Sequence, residues 1–328
     1  MNKKVVVIGG GTGTFTVLSG LKQYTDTVDL SAIVTMADSG GSTGRLRDEF
    51  GYLPVGDVRM ALVALADEKL ADNQQLRELF LHRFEKGGEN LAGHNFGNLF
   101  LVALTDILGS EVSAIRFAER LLHARGSVHP VTTDHVTLVA TYDDDVVVAG
   151  ETHIDEPDAS RDAHRIVNLE GKPSGMITND AHDAIATADL VVIGPGDLYT
   201  SILAVCVVGG VREALSQTKA KLMYISNLMT KYGQTTGMSI EDHAREIERY
   251  ITRTPDIILA NNAPVPPALT ERYATTGEYP TLQDGTLPLR LADLMGLEEV
   301  KRSSGDVLRR SLVRHDSQKL AQVIMEYV

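Results

Sequence analysis

Two glycine-rich segments near the N-terminus have the composition of anion-binding loops. The first, Gly9 to Thr14, follows a short β-branched run and precedes a predicted helix. Small residues let backbone N–H groups approach a phosphate, and a helix N-terminus adds a favourable potential. The glycine spacing fits neither the dinucleotide fingerprint nor a Walker loop, and a tight packing turn is the alternative. We predict anion binding by the backbone of Gly10, Gly11, Thr12 and Gly13.

The second segment, residues 36–47, combines an acid, hydroxyls and arginines. Asp38 stands at the end of a predicted strand, where an acid holds ribose hydroxyls in nicotinamide-dependent enzymes; a turn carboxylate is the alternative. Residues 40–44 match the G-x-S-x-G pattern of a serine nucleophile, but residues 36–39 separate that pattern from the strand. We therefore predict that Ser42 neighbours a phosphate or cation and is not a nucleophile. The donors expected in this loop are Ser39, Gly40, Gly41 and Ser42, with charge from Arg45.

Further polar residues follow predicted strands or open predicted helices. Asp57 opens a helix, where it is a cap, a base or a cation ligand. The segment 93–98 opens another helix and carries Asn95 and Asn98, which could contact a base or sugar, whereas His94 by itself is typical of a structural histidine. Because parallel strands end at one edge of a sheet, their loops are expected to share one cleft. The candidates after the later strands are Gly194, Gly196, Asp197, Ser201, Asn227, Met229, Thr230 and Asn261.

The elements that position these residues alternate between strands and helices. Residues 5–8 and 30–35 predict buried strands, and the helix between them indicates a parallel βαβ unit. Similar strands are predicted at 190–193, 221–226 and 256–260. Residues 136–150 predict an antiparallel hairpin, and we place a small β-rich insertion at 127–180. Residues 275–314 read as loop-rich with a basic cluster at Arg309, Arg310 and Arg314, before a last helix at 316–327.

The composition excludes several classes of function. The 328 residues include 31 Lys and Arg against 44 Asp and Glu, a net charge of −13 that disfavours nucleic-acid and membrane binding. The one cysteine, Cys206, cannot form an internal disulfide or a cysteine-based zinc site. The N-terminal apolar run is too short for a signal peptide or a membrane span, so we expect a cytoplasmic protein without membrane insertion.

Taken in order, the motifs resemble those of the CofD-like superfamily, in particular its bacterial gluconeogenesis-factor (YvcK-type) branch. The resemblance covers nearly the whole chain, and its most specific part is the long second motif. The matching segments are 9–13, 36–47, 54–59, 93–98, 194–201 and 227–230.

This resemblance implies a Rossmann-like three-layer α/β/α fold with a mainly parallel sheet, so we predict one domain over 1–328 with the insertion inside it. Archaeal relatives transfer 2-phospho-L-lactate from an activated nucleotide with the help of a divalent cation. The bacterial branch is linked to gluconeogenic growth and cell shape, and is thought to bind UDP-sugars such as UDP-N-acetylglucosamine. By the same resemblance, the first glycine loop and Asn227 would face the nucleotide, and Asp57 would match the transferase acid near the acceptor.

The sequence differs from the transferases at the acids expected to hold the divalent cation. They carry adjacent acids after the second strand, whereas here Asp38 is followed by Ser39. That difference argues against metal-assisted transfer, although Mg²⁺ on Asp38 and Asp57 stays open as the one cofactor.

We expect a regulator that binds a UDP-sugar or related nucleotide and forms a homo-oligomer. Asp57 would be catalytic only if the protein is an enzyme. A phospho-lactate-type transferase and an NAD(P)-dependent oxidoreductase are the alternatives.

Overall fold

The computed structural model describes residues 2–70, 73–161, 164–296 and 313–328. The strands are β1 (Lys3–Gly9), β2 (Val28–Val34), β3 (Ser127–Pro130), β4 (Thr137–Tyr142), β5 (Val147–Ala149), β6 (Ile166–Lys172), β7 (Leu190–Ile193), β8 (Lys221–Ile225), β9 (Ile257–Asn261) and β10 (Leu289–Ala292). The helices are α1 (Gly11–Leu21), α2 (Gly41–Phe50), α3 (Gly56–Leu65), α4 (Asn73–Leu81), α5 (Gly88–Leu91), α6 (Phe96–Leu108), α7 (Glu111–Leu121), α8 (Glu151–Asp155), α9 (Asn179–Thr187), α10 (Leu203–Cys206), α11 (Val211–Gln217), α12 (Ile240–Ile251), α13 (Pro267–Ala274) and α14 (Ser317–Met325).

Seven strands form one parallel sheet in the order β10-β9-β8-β7-β1-β2-β3. Successive side chains of a strand point to opposite faces, and every residue of β7 from Leu190 to Ile193 is fully buried. Both faces of the sheet are therefore covered by helices, as a parallel sheet requires. The predicted three-layer α/β fold is confirmed. The strand order reverses between β1 and β7, and in such sheets ligands bind at that point, beyond the carboxyl ends of the strands.

A second, smaller sheet has the order β5-β4-β6 and is antiparallel. The predicted hairpin is present, and its turn places Asp145 at a φ of 64°. The structure differs from the prediction at the start of the insertion, because Ser127–Pro130 pairs in parallel with β2 in the main sheet. This edge strand buries only alternate residues, Val128 and Pro130, so it lacks the continuous apolar run of an inner strand. The antiparallel strands run from Thr137 to Lys172.

The two glycine-rich segments interpreted as loops supply the first turns of helices. The predicted first helix, α1, begins earlier than expected, at Gly11, and α2, which was not predicted, begins at Gly41. Both glycines have a positive φ, 60° and 48°, a conformation that other residues rarely adopt.

The region 275–314 contains the short edge strand β10, which was not predicted because only four residues pair. Arg309 and Arg310 lie outside the described residues. Within the described ranges, no helix has the length and apolar character needed to cross a membrane.

Candidate functional site

The loops that follow β1, β7 and β8 meet at the reversal point of the strand order. Gly13 lies against the loop after β7 so closely that a Cβ there would stand 1.9 Å from the Pro195 carbonyl oxygen. The backbone N–H of Gly196 donates to the Asn227 side chain at 3.4 Å. A Cβ on Gly11 would be 3.9 Å from the Ser201 hydroxyl. The structure thus brings the first glycine segment together with the predicted loops around 194–201 and 227.

Asp57 is in the first turn of α3, and its side chain contacts the start of α1. Its Oδ1 accepts a hydrogen bond from the Gly11 N–H at 2.8 Å. A Cβ on Gly10 would come within 2.5 Å of Asp57 Oδ2, so a glycine is required for this approach. Burial, and then the nearby charge of Asp38, raise the pKa of Asp57 to about 7, while the Gly11 hydrogen bond and Arg59 act in the opposite direction. Asp57 can therefore take up or release a proton near neutral pH.

Asp38 and Glu151 bring two more carboxyl groups to the same place. Asp38 accepts a hydrogen bond from the Gly40 N–H at 2.8 Å. A Cβ on Gly56 would stand only 2.6 Å from Asp38 Oδ2, so the glycine leaves room for this carboxylate. Glu151, the first residue of α8 in the insertion, accepts from the N–H of Ser39 at 3.3 Å. Burial and the charge of Asp38 raise the pKa of Glu151 to about 9, and burial raises that of Asp38.

Lys231 joins two further acids at this edge. Its Nζ lies 2.5 Å from Asp155 Oδ1 and 2.8 Å from Asp197 Oδ2. Burial alone would lower the pKa of Lys231, but the two carboxylates outweigh it and raise that pKa. Burial raises the pKa of Asp197 even though Lys231 opposes the shift. The cleft therefore holds an excess of carboxyl groups, only part of which is balanced by a cation.

A buried polar network lies behind the acids and links α2 to the start of α6. The Ser42 hydroxyl contacts His94 Nδ1 at 3.1 Å and accepts from the Asn95 N–H at 3.2 Å and from Asn98 Nδ2 at 3.3 Å. Asn98 also accepts from Arg59 Nε at 2.8 Å. Burial lowers the pKa of His94. The Ser42 oxygen therefore already accepts two hydrogen bonds, while His94 stands where a base for a serine nucleophile would stand. That Ser42 is not a nucleophile stays a prediction.

The other predicted ligand residues occupy different settings. Arg45 donates from Nη2 to the Ala92 carbonyl at 3.0 Å, across to the loop before α6. Thr230 exchanges hydrogen bonds with Tyr279, which pins residue 230 to the chain after α13. Asn261 is folded onto its own loop, where its side chain bonds Ala263. Thr12 is exposed at the start of α1. Their contact with a ligand stays a prediction.

A cavity of about 200 Å³ opens beyond the ends of β8 and β9. Amide side chains and apolar residues share its wall. Those that a planar polar ring could contact are Asn227, Asn261, Asn262, Pro264, Pro280 and Gln283. A wall of this kind offers both donors and acceptors beside flat apolar surfaces.

Sequence reasoning missed Glu151, Asp155 and Lys231. Glu151 and Asp155 lie in the insertion, far along the chain from Asp38, and no motif around them marked a site. Lys231 directly follows the predicted segment 227–230, so its position after a strand was the one available signal.

The acids at this edge are of the kind that a hard divalent cation prefers. Among the described residues, only the group at the hairpin turn already has three ligand atoms close together, so a cation shared by Asp38, Asp57 and Glu151 would have to draw their carboxylates toward one point. Asp38, Asp57 and Glu151 offer carboxylate oxygens, which Mg²⁺ prefers, and Gly10 and Gly56 leave the space these carboxylates use. The sequence predicted Asp38, in the loop after the second strand, and Asp57 as candidate cation ligands. The insertion supplies the further acid that this loop lacks.

A separate group of Asp143, Asp144 and His164 lies on the exposed hairpin turn. Arg161 Nη1 already contacts Asp144 at 2.8 Å, so one of these acids has a cation beside it within the protein.

Comparison with known proteins supports the resemblance inferred from the motifs. The family described as "2-phospho-L-lactate transferase CofD" matches residues 5–302, most of the chain. The chain belongs to the CofD family. This assignment covers the main sheet, the insertion and every acid of the cleft.

Several relatives match along nearly their whole length. The chain is 40% identical to a Thermotoga maritima protein over 324 residues, 98% of each chain. A Bacillus subtilis protein named "Gluconeogenesis factor" is 36% identical over 325 residues, 98% of this chain and 97% of the relative. A solved structure from Bacillus halodurans, described as a member of the UPF0052 family, has a TM-score of 0.88 and 34% identity, and covers 99% of both chains.

Proposed function

We propose that this CofD-family chain is a cytoplasmic gluconeogenesis factor that binds a nucleotide sugar of the UDP-N-acetylglucosamine type and acts as a regulator. The observation that carries the proposal is the cavity beyond β8 and β9, which adjoins the loops at the reversal point. In the proposed complex, the base occupies this cavity between Asn227 and Asn261. The sugar and its diphosphate extend from there toward the first glycine segment.

The name of the Bacillus subtilis relative supports a role in growth on gluconeogenic carbon sources. A role in cell shape is proposed from the motif resemblance alone. Both would be tested by complementing a bacterium that lacks its own gluconeogenesis factor with the wild-type chain and with Asn227→Ala. Rescue by the wild type and failure of the variant would support a ligand-dependent role.

Calorimetric titration with UDP-N-acetylglucosamine, GDP and NAD tests the ligand. We expect binding of UDP-N-acetylglucosamine that survives EDTA, because amide and backbone groups make the proposed contacts. Asn227→Ala should weaken it by about tenfold, as loss of one or two hydrogen bonds predicts. Asn168→Ala, an exposed asparagine on β6, is the matched control. Binding of NAD alone would overturn the proposal.

A transferase of the phospho-lactate type is the second candidate, and the group formed by Asp38, Asp57 and Glu151 favours it. A divalent cation held by these carboxylates would neutralise charge on the leaving phosphate. Asp57 would accept the proton of an acceptor hydroxyl, since its pKa of about 7 suits a general base. Nucleotide release that depends on Mg²⁺ and disappears in Asp57→Asn would establish this reaction. If the protein is a regulator, we expect no release of nucleotide from UDP-N-acetylglucosamine over hours. Asp57→Asn should then bind this ligand nearly as well as the wild type.

The oxidoreductase alternative is disfavoured by two contacts. In dinucleotide-binding folds the pyrophosphate sits on the N-terminus of the first helix. Here the Asp57 carboxylate accepts from Gly11 at that point. Asp38, which would hold the ribose, is instead bonded to the backbone of Gly40.

A further inference from the structure

Lys231 lies where three separate parts of the cleft meet. Asp155 ends helix α8 in the insertion, Asp197 follows β7, and Lys231 itself follows β8. The ammonium group lies within 2.5 Å of one carboxylate and 2.8 Å of the other. One side chain therefore ties the insertion to two loops of the main sheet.

The surroundings of Asp155 restrict it further. The Thr200 hydroxyl donates to Asp155 Oδ1 at 2.8 Å, and Gln234 Nε2 donates to the Ile154 carbonyl at 3.1 Å. The exposed fractions of the Lys231 and Asp155 side chains are only 23% and 21%. Ion pairs that are largely removed from water are costly to break from one side, because the remaining charges stay buried without a partner.

The opposite end of α8 contacts the loop after β2. The Thr152 N–H donates to the Ser39 hydroxyl at 3.0 Å, and Ser39 N donates to Glu151. A helix of five residues is not stable by itself, so its position depends on such contacts. Ile154 is fully buried and anchors the middle of the helix in the core. The two polar ends are held by Ser39 on one side and by Lys231 on the other.

We propose that Lys231 is a positioning residue that holds α8, and with it the Glu151 carboxyl, against the loop after β2, so that the cleft has its final shape before a ligand arrives. Without the ammonium group, Asp155 and Asp197 would repel each other across the same gap. The C-terminal end of α8 would then separate from the sheet edge. The rest of the insertion would stay in place because β4 and β6 pair independently of this contact.

Hydrogen exchange of the ligand-free protein tests this directly. Two amides report on α8, those of Ile154 and Glu156, which donate to Gly150 and Thr152. In Lys231→Met we expect both to exchange about tenfold faster or more, with β1 unchanged, because local opening exposes one element at a time. Lys231→Arg should restore most of the protection, since a guanidinium can also bridge two carboxylates. Lys3→Met, which removes the exposed pair with Asp189, is the matched control and should leave α8 unchanged.

A double-mutant comparison distinguishes loss of the Lys231–Asp155 pair from a general loss of stability in Lys231→Met. Asp155→Asn keeps the shape of the side chain and removes its charge. If the two groups act as a pair, Lys231→Met should add little to the exchange rate in the Asp155→Asn background. Wild-type protection of Ile154 and Glu156 in Lys231→Met, or full additivity of the two changes, would overturn the proposal.

A ligand measurement rests on the proposed function and is kept separate from exchange. UDP-N-acetylglucosamine should bind Lys231→Met about tenfold more weakly, because part of its binding energy would be spent on ordering α8. If exchange rises as expected but no form of the protein binds this ligand, the nucleotide-sugar proposal fails and the positioning role of Lys231 stands.

Discussion

The carboxylate of Asp57 accepts a hydrogen bond from the Gly11 N–H at 2.8 Å and so satisfies one of the free N–H groups in the first turn of α1 from within the protein. In many glycine-loop proteins that position belongs to a phosphate of the ligand. A phosphate entering this cleft must therefore displace Asp57 or bind donors farther along the edge. The hydrogen bond between Gly11 and Asp57 can thus hold the start of α1 in place when no ligand phosphate is bound.

The buried carboxyl groups make stability depend on pH. Their folded pKa values, about 7 for Asp57 and about 9 for Glu151, lie above the ordinary values of 3.8 and 4.5. The folded protein then binds more protons than the unfolded chain, so the free energy of unfolding falls as pH rises from about 4 toward each folded value. The slope is at most about 1.4 kcal/mol per pH unit for each group, and less where the cleft admits water.

Glu151→Gln should therefore flatten the decline between pH 7 and 9, where Glu151 titrates and Asp57 has largely ionised. Urea denaturation at pH 6, 7, 8 and 9 in the presence of EDTA measures this. Glu78→Gln, on the exposed face of α4, is the control. An unchanged slope in Glu151→Gln would show that this carboxyl is not buried as described.

Mg²⁺ should stabilise the protein through the same acids. We expect the melting temperature to rise with millimolar Mg²⁺, and to rise more at pH 8 than at pH 6, because protons leave the carboxyls when the cation binds. Asp38→Asn should remove most of this increase. Asp143→Asn, at the exposed group on the hairpin turn, should retain it. The opposite pattern, with loss only in Asp143→Asn, would move the cation to the hairpin.

Ser42→Ala tests the buried network. Loss of the hydroxyl leaves Asn98 Nδ2 and the Asn95 N–H without this acceptor, so we expect a loss of about 1–3 kcal/mol in the free energy of unfolding. Ser216→Ala, whose hydroxyl bonds only Glu213 on a helix surface, should cost far less. A fluorophosphonate probe should not label Ser42 in the wild-type protein. Labelling that disappears in Ser42→Ala would identify a nucleophile instead.

Gly13→Ala should disrupt the junction between α1 and the loop after β7. The new methyl group would stand 1.9 Å from a backbone oxygen that cannot rotate away. We expect a loss of about 3 kcal/mol or more, as in other overpacked or strained positions. Gly296→Ala, whose nearest neighbour would be 3.4 Å away, is the control. Equal thermal stability of the two variants would contradict the close approach.

The sequence predicted the parts of the fold that rest on continuous apolar runs. Strands such as residues 190–193 and the hairpin after residue 136 have local patterns that tertiary contacts then reinforce. It did not predict β3 or β10, because a short edge strand is only half buried and resembles a loop. It placed the start of α1 too late and did not predict α2, because glycine disfavours helix interiors but is well suited to the first residue of these two helices.

For the site, the sequence located acids and amides within single loops and could not bring distant ones together. Asp57 and Asp38 were found because each stands in a recognisable motif. Glu151 and Asp155 depend on how the insertion docks onto the sheet, and that docking is specified by side chains such as Ser39 and Lys231 whose spacing along the chain carries no period. Asn95 and Asn98 were identified as polar, but nothing local revealed that they are buried behind the acids.

The order in which the strands pair also constrains how the chain reaches its native state. The central strand β1 lies beside β7, and the backbone of Lys4 bonds Asp189 across 185 residues of sequence. Closing so long a loop costs conformational entropy before any contact compensates for it, and folds rich in such distant pairs assemble slowly. During synthesis, β1 remains an unpaired edge on the β7 side until residue 193 has left the ribosome. The binding edge at this junction therefore cannot form until more than half of the 328 residues have been made.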